Sequence, residues 1–191
     1  PVSALNLWIS NALASLNATS GVILGAIVGG MMSIDMGGPF NKAAYVFGTA
    51  SLINAAGDPV SSGVMAAVMI GGMVPPLAVA LCTTFFKNRF TEKERQTTVT
   101  NYIMGFSFIT EGVIPFAASD PLRVIPSCVV GSAVAGALSM LFGCTLPAPH
   151  GGIFVFAVVQ NWPMYLVSLL IGSVVAMLLL ALLKKPIKEG R

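Results

Sequence analysis

Glu111 stands in "SFITEGVIPFAASDPLR" (107–123), between Thr110 and Gly112 and four residues before Pro115, among Ile, Phe and Val. A carboxylate at such a backbone break can accept hydrogen bonds from solute hydroxyls or act as a base. His150, the single histidine, occupies a second break, "LPAPHGGIF". Asp35, Asn41 and Lys42 share a third, "DMGGPFNK" (35–42). Lys42 has three readings there: snorkelling to an interface, pairing with Asp35 across the Gly-Gly-Pro turn, or contacting a ligand. Asp120 and Arg123, three apart in "SDPLR", suit a local ion pair, and Asp58 in "GDPVSSG" suits a surface turn.

The setting makes these residues expensive. The chain has 191 residues, 55% hydrophobic and only 9% charged, against roughly 25% charged in soluble domains. A charge at the centre of a bilayer costs about 2.5–3.5 kcal/mol on insertion scales, so it persists where it faces a bundle interior or an aqueous cavity. A few hydrogen-bonding groups at helix breaks suit a polar neutral solute such as a sugar. An ion pathway would show rings or chains of carboxylates, and an anion site would show more cations. The sequence has no Gly-rich phosphate loop and no basic stripe for nucleic acid. One histidine and three scattered cysteines, Cys82, Cys128 and Cys144, build no metal site. No cofactor is indicated, and the cysteines read as small buried hydrophobes.

The elements that must position these groups are membrane helices. "PMYLVSLLIGSVVAMLLLALL" (163–183) carries no charge and has the length of a span. "GVMAAVMIGGMVPPLAVALCTTFF" (63–86) is also uncharged, with Pro75 and Pro76 expected to interrupt it. A further span is expected over 124–142. Residues 4–18 read as an interfacial or packing helix with Leu5, Trp8, Ile9, Ala12, Leu13 and Leu16 on one side. Gly21, Gly25 and Gly29, spaced by four, suit close packing of helix backbones.

Charge sets the topology. Lys87, Arg89, Lys93 and Arg95 mark a solvated loop, and Lys184, Lys185, Lys188 and Arg191 a basic tail. Counting only basic residues places both on the cytoplasmic side. The chain between them then crosses an even number of times, and 124–142 with 163–183 suffice. Residues 99–121 and 143–160 are left as broken or re-entrant pieces. The fold class is therefore an all-α integral membrane protein, a multi-span bundle with re-entrant helices, forming a single membrane domain over 1–191. Starting at Pro1 without a signal peptide, the sequence is expected to be the later part of a longer protein.

"MMSIDMGGPFNKAAYVFG" (31–48), "FITEGVIPFAASDPLRVIPS" (108–127) and "PAPHGGIFVF" (147–156) closely resemble the fructose-type enzyme IIC domain of the bacterial phosphoenolpyruvate:sugar phosphotransferase system. The resemblance extends over nearly the whole chain. It implies a permease of the bacterial inner membrane, multi-pass with a cytoplasmic C-terminus, that moves fructose or a related hexose derivative inward. The sugar is phosphorylated by a phosphocysteine on an enzyme IIB partner, fused or separate, and the permease is a homodimer embedded in lipid. Its earlier helices would precede this chain. In the wider superfamily a Gly-Ile-x-Glu glutamate contacts the hydroxyl that receives the phosphoryl group. Here "FITEG" puts Glu111 at that position, with Phe108 replacing the usual glycine.

Glu111 is thus the expected catalytic group, and Glu111, His150, Asp35, Asn41, Lys42 and Thr110 are the expected sugar contacts. Related permeases place their histidine upstream of the glutamate, whereas His150 lies downstream. Asp120, Arg123, Gly37, Gly38, Pro39, Gly151 and Gly152 are expected to support the site structurally. No cysteine is followed by the phosphate cradle of enzyme IIB, so the chain is not catalytic alone. The rival reading is a proton-coupled transporter of a polar solute using Glu111 or Asp35, and a weaker one is a scaffold or sensor domain.

Overall fold

The computed structural model describes residues 21–54 and 56–187. The segment 4–18 and the tail residues Lys188 and Arg191 lie outside the described residues. The elements in chain order are α1 (Gly21–Met31), α2 (Pro39–Ala50), α3 (Gly63–Phe85), α4 (Glu92–Gln96), α5 (Thr98–Phe106), α6 (Ile114–Ser119), α7 (Pro121–Leu141) and α8 (Trp162–Leu183). Short 3-10 turns cover Lys87–Arg89, Thr110–Val113 and Gly152–Val158. The described residues contain isolated backbone bridges but no named strand.

Three of these helices, α3, α7 and α8, are long and apolar enough to cross a bilayer. α3 is the axis of the bundle, buried over nearly its full length. It does not break at its two prolines; the helix runs on through Pro75 and Pro76. Each proline lacks the N–H that would reach back four residues, which frees the carbonyls of Gly71 and Gly72. Both are taken by hydroxyls from elsewhere. Ser132 of α7 donates to the Gly71 oxygen at 2.8 Å, and Thr110 donates to the Gly72 oxygen at 3.3 Å. Since the Ser132 proton is committed there, Ser33 donates to Ser132 at 2.5 Å, extending the chain from the end of α1.

The glycines spaced by four do bring backbones together. A Cβ on Gly29 would stand 2.5 Å from the Ser132 carbonyl oxygen, and one on Gly71 would stand 2.6 Å from the Gly29 Cα. One on Gly136 would overlap the Gly25 carbonyl. α1, α3 and α7 therefore meet main chain to main chain, as small residues permit in membrane bundles. The same device joins α7 to α8, where Gly131 faces Gly172 and Ala176.

The loop after α3 and the segment after α8 share one end of the bundle. The Arg89 guanidinium donates to the Lys184 carbonyl. The Lys184 ammonium lies 3.3 Å from Glu94 and 4.5 Å from the Phe90 ring centre, and the Ile187 N–H donates to Asn88 at 2.9 Å. This agrees with two crossings, α7 and α8, between loop and tail.

Adding one methyl group tests the packing. Gly136→Ala is expected to destabilise the purified protein by about 1–3 kcal/mol or to abolish its accumulation, because the backbones cannot part locally. Gly30→Ala, whose Cβ meets its nearest neighbour at 3.5 Å, is expected to be neutral or to stabilise by up to about 1 kcal/mol. Thermal unfolding in detergent reads both.

Candidate functional site

Three hairpins stop partway along the bundle and turn back. α1 descends along α7, from Gly21 beside Met140 to Gly29 beside Ser132, and α2 returns to put Gly48 against Val68. From the opposite end, α5 packs Gly105 on Leu77, the Thr110–Val113 turn reaches Gly72, and α6 goes back to place Phe116 against Phe90. The third hairpin, 142–161, is closed at its base by Gln160 N–H donating to Thr145 at 2.9 Å. A Cβ at its tip, on Gly152, would overlap the Phe106 carbonyl and lie 2.9 Å from the Phe108 nitrogen. The tips gather near Gly71 and Gly72, about 13 Å along α3 from its start.

Each tip needs a left-handed residue to reverse direction. Met36 and Gly37 have φ of 46° and 111°, Phe108 has 60°, and Gly151 and Gly152 have 136° and 56°. Glycine enters this region freely, whereas Met and Phe are strained in it. The glycine usual at the position of Phe108 in the resembling motif is thereby explained, since the turn itself favours one.

Where the tips meet, the hairpins line an open-mouthed pocket of about 250 Å³ in which Lys42, Glu111 and His150 are exposed. Asn41, Lys42 and Tyr45 line it from α2, Thr110 and Glu111 from the second tip, and His150 from the third, with Met32, Gly37, Phe108 and Ile109 between them. Gly37 lets the chain pass close to Glu111, for a Cβ there would lie 2.9 Å from Oε1. Asn41 fixes α2 to the end of α1 by donating from Nδ2 to the Met32 carbonyl at 2.7 Å. The pocket thus combines one carboxylate, one ammonium, one imidazole, an amide and hydroxyls with aromatic walls. At this size it suits a single small polar solute, below the roughly 300–1,000 Å³ of drug-sized sites.

Five of the six expected contacts, Glu111, His150, Asn41, Lys42 and Thr110, come together in this lining. Asp35 lies outside it and serves as a cap. Its Oδ2 accepts from the Phe40 N–H at 2.7 Å and its Oδ1 from the Asn41 N–H at 3.0 Å, satisfying the start of α2 where Gly38 has no side chain to offer. Its oxygens being so used, no Asp35–Lys42 ion pair forms among the described residues. Pro39 opens α2 at a position where a missing N–H costs nothing. A Cβ on Gly38 would stand 2.5 Å from Asp35 Oδ2.

Asp120 and Arg123 form an ion pair of 2.9 Å at the start of α7, away from the pocket lining. Asp58 lies in an exposed turn closed by Asn54 Oδ1, which accepts from the Asp58 N–H at 2.9 Å. Tyr45 was missed from sequence, although its i+4 relation to Asn41 places both on one face of α2. Among the described residues no three His, Cys, Asp or Glu side chains gather as a metal site. Cys144, the cysteine outside the long helices, has its thiol pushed up by burial. It is therefore no thiolate nucleophile.

Fold and site define an all-α membrane protein with a small polar pocket at helix mid-depth. No protein-family model matches the chain, and no solved structure matches it. Curated proteins do. The chain is 54% identical over 190 residues to the PTS system fructose-specific EIIABC component of Bacillus subtilis, covering 99% of the chain and 29% of that protein. It is 50% identical over 189 residues to the fructose permease IIC component of Bacillus amyloliquefaciens (99% and 60%). It is 43% identical over 185 residues to the PTS system fructose-specific EIIC component of Haloferax volcanii (96% and 48%). The chain belongs to the fructose-type enzyme IIC family, matching the C-terminal part of the fused members. It spans between 29% and 60% of the length of these three relatives.

The anchor on Gly72 gives a direct test. Thr110→Val is expected to orphan that carbonyl at a cost of about 1–3 kcal/mol, lowering the unfolding midpoint in detergent by several degrees. Thr110→Ser keeps the hydroxyl and is expected to hold the wild-type midpoint.

Proposed function

We propose that this chain is part of a sugar permease domain that binds fructose or a related hexose derivative and carries it across the bacterial inner membrane. Transport is coupled to phosphorylation by an enzyme IIB partner, fused or separate. The observation that carries the reading is the convergence of Glu111, His150, Asn41, Lys42 and Thr110, from three hairpin tips, on one pocket of about 250 Å³. The names of the relatives, fructose-specific EIIC and fused EIIB'BC components, support both the sugar and the partner.

In this reading Glu111 accepts the hydrogen bond of the hydroxyl that is to be phosphorylated. His150, Lys42 and Asn41 contact the remaining oxygens, and Asp35 braces α2 from behind. The donor's phosphorus–sulfur bond breaks as the sugar oxygen–phosphorus bond forms. The hydroxyl proton passes to the Glu111 carboxylate and the partner's thiolate leaves. Such a transfer asks the permease for positioning and charge stabilisation rather than covalent chemistry.

The loop 87–96 and the tail face the cytoplasm, where basic residues concentrate. About 20 Å of α3 separates Gly72 from that end, so the loaded pocket must open toward it before the partner can reach the sugar. In this reading the chain belongs to a single membrane domain, and the permease acts as a homodimer, as the family resemblance implies.

Glu111→Gln in the full-length protein separates binding from chemistry. Fructose phosphorylation by the phosphorylated partner is expected to fall about 100-fold or more, as loss of a positioned base does, while labelled fructose still binds. Wild-type uptake and phosphorylation in this variant would sink the role given to Glu111.

A further inference from the structure

Phe108 is an anomaly that the hairpin itself does not explain. With φ of 60° its backbone is in the left-handed region, where glycine is at ease and a bulky side chain is not. The reason for the ring must therefore lie in what the ring touches, and an outlier of this kind is a pointer to function.

The ring is almost fully buried, 6% exposed, yet it forms part of the pocket wall. Its edge lies on the bare backbone of α3 at Gly72, with Cδ2 placed 2.9 Å from where a Cβ would be. Its centre is 5.0 Å from that of His150 and 6.3 Å from that of Tyr45, both tilted. The ring thus plugs the space between the pocket and α3. With glycine at the same position the pocket would run back to the bare backbone of α3 at Gly72.

We infer that Phe108 is a specificity-determining residue, its ring closing the rear of the pocket so that a sugar carrying a bulky group on the side toward α3 is rejected. This rests on the sugar-permease reading and adds a size limit that the polar groups do not set. A hydrophobic wall can reject a bulkier solute by overlap, whereas it adds little discrimination among equally sized ones.

A matched substitution and ligand test it. Phe108→Gly in the full-length protein leaves a hole shaped like a benzyl group and relieves the left-handed strain. Competition against labelled fructose is measured with a panel of mono-O-benzyl fructose derivatives, one for each hydroxyl. In wild type the derivatives whose benzyl group would point toward α3 are expected to compete poorly. In Phe108→Gly at least one is expected to gain tenfold or more relative to unlabelled fructose, while Phe108→Tyr keeps the wild-type ratio. Phe108→Ala opens the same space and is measured in parallel.

An unchanged ratio for every derivative in both small variants overturns the inference and leaves the sugar reading standing. Failure of both variants to accumulate shows the ring to be a structural prop and overturns it equally. Wild-type protein that binds no fructose removes the sugar reading, and the inference with it.

Discussion

Two carbonyl oxygens, those of Gly71 and Gly72, organise this protein. Pro75 and Pro76 deprive them of their helical partners in the middle of the most buried helix, where no lipid-facing water can replace them. An orphaned carbonyl there costs about 1–3 kcal/mol. Ser132 and Thr110 satisfy the pair, and each arrives on a different element. Ser132 ties α7, and through Ser33 the end of α1, to the axis. Thr110 brings the Glu111 turn to the same depth. The position of the carboxylate along the bundle thus follows from a backbone debt in α3.

The hairpins can end there because their tips use conformations that regular helices avoid. Gly37, Gly151 and Gly152 take left-handed φ without a Cβ to obstruct it, and Met36 and Phe108 take it against their preference. Close approach is the second requirement. Gly37 faces Glu111 and Gly152 faces the backbone at 106–108, so polar groups from distant parts of the sequence share one small pocket.

Much of this was legible in the sequence, for local reasons. Uncharged runs of span length gave α7 and α8, and Pro–Gly clusters marked all three tips. Glu111 and His150 stood out because a charge or an imidazole in apolar surroundings needs a reason. The spacing of Gly21, Gly25 and Gly29 announced a backbone contact, although not its partner. What escaped depends on contacts between distant residues. Pro75 and Pro76 read as an interruption because hydroxyls 34 or more positions away cannot be seen from the proline pair. Asp35 read as a ligand because its use as a cap depends on how the Gly-Gly turn folds back. Tyr45 was passed over among the other aromatics of α2.

The interlock of α1, α3 and α7 has a mechanical meaning. Side chains at a helix contact can change rotamer and let one helix creep along another. Where Gly29 meets Gly71 and Gly25 meets Gly136, the touching atoms are peptide groups with no torsion to spare. A shift of one residue would drive Val28 or Leu24 into a carbonyl. These three helices consequently behave as a single wedge, and among the described residues the backbone leaves regular helix at the three hairpin tips that meet against it.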